Sequence, residues 1–75
     1  MDAIQLLEGI GRLLERSNTP WVIITEGDPP TSINVHVGRT EVARIRSKIE
    51  QSFPNLVIPV GVHDEQAAMS LGLGW

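Results

Sequence analysis

Imidazole titrates near neutral pH and ligates metals, so His36 and His63 are the side chains of this chain best suited to chemistry. Asp64 and Glu65 follow His63 directly, and Glu26 and Asp28 precede His36. These groups make a metal or acid–base site only if folding brings them together. Their spacing matches no known ligand set, and there is no cysteine to supply a thiolate. The expected roles are therefore structural: His36 as a solvated strand residue, Asp64 as a helix cap and Glu65 as a first-turn charge. No catalytic residue, cofactor or metal is assigned, and the reading leans away from an enzyme.

A second group is basic. Arg39 stands just before a helix that carries Arg44, Ser47, Lys48 and Gln51 on one face. Arg39, Arg44 and Lys48, beside the helix start after Gly38, offer an alternative function: binding a small anionic ligand or nucleic acid. A formal net charge of −3 argues against nucleic acid. No aromatic residue interleaves with the cations as a single-strand binder needs, and one glycine does not make a phosphate loop. A solvated helix face is the plainer reading.

The elements that must position these residues follow from periodicity. Ser32 to Gly38 alternates, with Ile33, Val35 and Val37 on one face and Asn34 and His36 on the other, as a half-buried strand does. Thr40 is placed to cap a helix, with Glu41 in its first turn, running to about Ser52. Pro54 and Asn55 stop it, and Leu56 to Val60 reads as another strand. Strand, helix, strand of this length predicts two parallel strands joined by a crossover. Ahead of this unit, Trp21 to Glu26 is apolar without alternation, which suggests a strand covered on both faces. Gly27, Asp28, Pro29 and Pro30 then form a turn, so this strand pairs antiparallel with the next.

Asp2 to Arg16 is a helix capped by Asp2. Ile4, Leu7, Gly11 and Leu14 form its apolar stripe, widened by Ala3 and Ile10 and then by Leu6 and Leu13. The arc approaches about 180°, where a surface helix needs little more than about 100°. Leu6 and Leu13 are the surplus, left at the rim or covered by a partner. Gly11 lies in the stripe, where it could permit a close approach; Gly9 lies on the polar side, and no sequence feature accounts for it.

Pro59 cannot donate to a central ladder, so the third strand belongs at an edge. The alternating second strand also resembles an edge, which leaves the first in the centre and predicts sheet order 2-1-3. The expected fold is α+β: one domain over residues 1–75, a two-layer sandwich of order α-β-β-α-β with both helices on one face of a three-stranded mixed sheet, plus a short C-terminal helix from Gln66 to Leu71. The outer sheet face would then carry large apolar groups, Trp21 and Ile23 or their neighbours Val22 and Ile24. Two coverings are open to this face: the C-terminal stretch with Met69, Leu71, Leu73 and Trp75 folding back, or a second copy stacking on the sheet or extending it through an edge strand.

This surplus of apolar surface points to a non-enzymatic interaction module that self-associates, as a homodimer, and binds another protein. Leu6, Leu13, Trp21, Ile23, Leu73 and Trp75 are its candidate contact residues. The longest apolar run falls well short of a membrane span, Asp2 and the lack of Lys or Arg before Arg12 argue against a signal peptide, and the cysteine-free composition fits the cytoplasm. The chain reads as a complete small gene product.

Overall fold

The computed structural model describes residues 2–66. Helix α1 spans Ala3–Arg16, strands β1 and β2 span Trp21–Glu26 and Ser32–Val37, helix α2 spans Val42–Ser52 and strand β3 spans Val60–Asp64. The class is the expected one: two helices and a three-stranded mixed sheet. β1 and β2 form the antiparallel hairpin, and β2 and β3 are parallel across α2.

Strand order differs from expectation. The sheet runs β1-β2-β3, with the alternating strand in the centre and the continuous apolar strand at an edge. β1 and β3 are therefore not neighbours, and the crossover skips no strand. One face of β2, made by Ile33, Val35 and Val37, is completely buried under both helices. Its other face is polar because Asn34 and His36 pair with groups of β3. Alternation here marks a central strand with a polar outer face, not an edge.

The third strand begins four residues later than expected. Prolines 54 and 59 bracket Leu56, Val57 and Ile58, and this stretch brings the chain from the helix layer back to the sheet in bends. Leu56 and Val57 are exposed. Pro59 stands just ahead of β3, and its carbonyl accepts from Ile33 N at 3.0 Å. The inference that this proline belongs to an edge holds. The period-2 signal of Val60 and Val62 marks the true strand.

Helix α1 starts as expected. Asp2 Oδ1 accepts from Gln5 N at 2.8 Å, and Asp2 N donates to Gln5 Oε1 at 3.1 Å, a reciprocal capping box. It ends at Ser17, with Asn18 in the left-handed region (φ 61°) that closes many helices. Its buried face is Leu6, Ile10 and Leu14, rotated by roughly 80° from the expected stripe at 3.6 residues per turn. Leu6 is therefore core, not rim, whereas Ile4 is 51% exposed. The two glycines exchange roles accordingly. A Cβ at Gly9 would lie 2.7 Å from the Phe53 ring, so Gly9 is the close-approach residue, and a Cβ at Gly11 would meet nothing.

At the start of α2, Thr40 does not cap. Residues Arg39–Glu41 form a 3₁₀ turn in which Glu41 N donates to Gly38 O at 2.8 Å, and the helix proper begins at Val42. Ile45 and Ile49 face the sheet and complete a core with Leu6, Ile10, Leu14, the three β2 residues and Val62.

Candidate functional site

Strand register decides where the candidate residues go. Trp21, Ile23 and Thr25 lie opposite Val37, Val35 and Ile33, so they share the helix-facing side of the sheet. Trp21 and Ile23 pack half-buried against the core. Val22 and Ile24 lie opposite His36 and Asn34 and share the outer face with Gly61 and His63. The open parity of the first strand is thereby settled, and Trp21 and Ile23 do not belong to the outer face.

The outer face of the central strand is polar. The parallel register sets His36 beside His63, with ring centroids 5.1 Å apart and planes tilted by 32°. His63 Nε2 lies 3.0 Å from Asn34 Oδ1, and the His36 ring approaches the Asp64 carbonyl at 3.5 Å. A Cβ at Gly61 would sit 2.7 Å from His63 Nε2 and 3.0 Å from Asn34 Oδ1, so the bare glycine makes room for this bond. His36 is 3% exposed, not solvated as expected, since the sequence does not reveal that a second imidazole pairs with its strand.

The fold thus brings the two histidines together and sets Glu26 and the Asp64 side chain elsewhere. Glu26 pairs with Ser32 at the far end of the hairpin, about 13 Å of strand from His36 at 3.3 Å per residue. Asp64 lies in register with Val37 on the other face, and its carboxylate accepts from Gln66 N at 3.1 Å, the cap expected of it. Among the described residues no three His, Cys, Asp or Glu side chains are placed to hold a metal. The two imidazoles and Asn34 join β3 to β2 as a polar ladder.

The basic group is dispersed. Arg44 forms an ion pair with Glu41 and donates to Ser17 O at 3.1 Å, and Arg39 reaches Gln66 Oε1 at 3.5 Å. Neither faces a common ligand with Lys48, which turns instead toward α1. Leu13 is half-buried beside the core. Leu73, Trp75 and the expected helix beyond Gln66 lie outside the described residues.

The remaining candidate is the free side of β1. Among the described residues no strand pairs with β1 except β2. β1 has no Lys, Pro or Gly along its six residues, and its side chains are half-buried from Trp21 to Ile24 on both faces. The outer edge of β3 is different. There Arg46 Nη2 donates to the Val62 carbonyl at 3.2 Å, and Pro59 interrupts the strand at its start. Among the described residues, no helix is long and apolar enough to cross a membrane. Comparison with protein-family models, with curated proteins and with solved structures gives no match for this chain.

Proposed function

We propose that the protein is a cytoplasmic interaction module that acts by self-association, two copies joining through β1 to form one six-stranded sheet. The observation that carries this reading is an apolar edge strand that no other strand than β2 pairs with among the described residues, while the other edge is blocked. Exposed edges of this kind pair with further strands unless charge, proline or a bulge prevents it. A second copy is the occupant that the β1 sequence fits. A two-fold axis through Ile23 keeps each face continuous, because it pairs residues of equal parity. It sets Ile23 against Ile23, Val22 against Ile24 and Trp21 against Thr25, all favourable cross-strand pairs. The exposed apolar side chains Ile4, Leu56 and Val57 then remain on the dimer for a protein partner.

Size-exclusion chromatography with light scattering tests the proposal. The expected mass at micromolar concentration is twice the 8.2 kDa of one chain. A strict monomer at every concentration, with unchanged amide exchange along β1, would remove it.

A further inference from the structure

The six Lys and Arg residues divide into two sets. Arg39, Arg44 and Arg46 each have a partner: Gln66, Glu41 with Ser17, and the Val62 carbonyl. Arg12, Arg16 and Lys48 have neither a hydrogen bond nor an ion pair among the described residues, and all three line one cleft between α1 and α2. Among the described residues no acidic side chain lines it. Half of the Lys and Arg residues of a net-negative chain therefore converge on one place with no ion-pair partner among the described residues. Arg12 and Arg16 stand one turn apart on the same helix face, an arrangement of like charges that costs rather than stabilises.

The cleft has a built floor. Leu13 and Phe53 form it, and Phe53 is seated there because Gly9 has no side chain: a Cβ would lie 2.7 Å from ring atom Cζ and 2.8 Å from Cε1. The cavity is about 530 Å³, within the range of small-molecule sites.

We infer that this cleft binds a small phosphate ester, its phosphate held by Arg12, Arg16 and Lys48 and its carbon body lying on Leu13 and Phe53. Guanidinium forks match phosphate oxygens in pairs, and the lysine ammonium adds a point charge. Three cations suit a dianion; a single carboxylate would leave two of them uncompensated. An apolar floor beside the charges suits an ester rather than the inorganic ion. A nucleic-acid strand fits less well, because the other cations are engaged elsewhere and provide no track for successive phosphates. Glu8 stands one turn before Arg12 and is the nearest competitor along the helix for its charge.

The test is an amide NMR titration of the full chain with phenyl phosphate, with inorganic phosphate and a single-stranded oligonucleotide as comparison probes. Saturable shifts are expected at Gly9, Leu13 and Phe53, with affinity falling as salt rises. The double variant Arg12→Gln with Lys48→Gln removes two exposed cations and leaves the core untouched. It should weaken binding by about tenfold or more, while Glu8→Gln should strengthen it several-fold. Inorganic phosphate should bind more weakly than the ester. The inference is overturned by absence of saturation at about 10 mM ester. Equal binding by the double variant would also overturn it, as would tighter binding of the oligonucleotide.

Discussion

The two edges of the sheet are built on opposite plans. β3 is five residues long, begins after Pro59, and has its Val62 carbonyl occupied by Arg46 from the helix above. β1 is six residues long and apolar, and carries none of these devices until the charge of Glu26 at its end. Natural sheets usually blunt both edges against accidental pairing. Among the described residues one edge is blocked and the other is not, which fits the reading that β1 joins a second copy. The contrast also explains the composition of β1. Val22 and Ile24 face outward from an edge strand, where a monomer has little use for apolar side chains, and a continuous six-stranded sheet would bury their flanks.

The largest expected effect comes from giving β1 the protection it lacks. Ile24→Lys places a charge at the outer face of the edge, opposite Asn34 and away from the helix-packed core. It should weaken self-association by about 100-fold, about 2.7 kcal/mol, while the monomer remains folded. Sedimentation at graded concentrations, alongside circular dichroism, separates the two. Unchanged dimerisation in this variant would mean that the association runs through another surface.

How far this contrast could be read in advance depends on the kind of signal. Element types, the hairpin, the parallel crossover and the placing of Pro59 at an edge all follow from local rules of period, turn chemistry and donor loss. The sheet order does not, because the two cues for it point the wrong way. The unbroken apolar run Trp21 to Ile24 imitates a central strand, and the alternation of β2 imitates an edge. What reverses them is non-local: His63 and Asn34 bond across β2 and β3, so polar outer residues are satisfied at the sheet centre. The candidate site suffers similarly. Lys48 stands out in the sequence beside Arg39 and Arg44, yet its companions in space are Arg12 and Arg16 on another helix. Nothing in the sequence singles out their i, i+4 spacing in α1, and it is the packing of that helix through Leu6, Ile10 and Leu14 that turns them to the cleft.

The second effect tests the blocked edge. Arg46→Ala frees the Val62 carbonyl and removes an apolar stem from the margin of α2. Losing a part-buried charge-assisted bond, with that packing, should cost about 1.5 kcal/mol in chemical denaturation. More telling, both edges would then be open, so species larger than the dimer should appear as concentration rises. If Arg46→Ala forms no larger species, Pro59 and the bends before it suffice to close that side.

The smallest effects serve to separate association from stability, and α1 supplies them from two glycines that differ only in what stands opposite. At Gly11 a Cβ meets nothing, so Gly11→Ala should stabilise the fold by about 0.5–1 kcal/mol through helix propensity and the unfolded chain. At Gly9 the same methyl group would lie 2.7 Å from the Phe53 ring, so the ring must leave its seat on α1 to admit it. The overpacking cost should exceed the propensity gain and leave Gly9→Ala destabilised by about 1 kcal/mol. Denaturant midpoints at equal m-value check both signs. No β1 atom is among the nearest neighbours of either added methyl group, so once the change in folded fraction is accounted for, the dimer constant should be the same in both variants. A dimer constant that followed stability in both would mean that the open edge forms only as part of a wider rearrangement of the monomer.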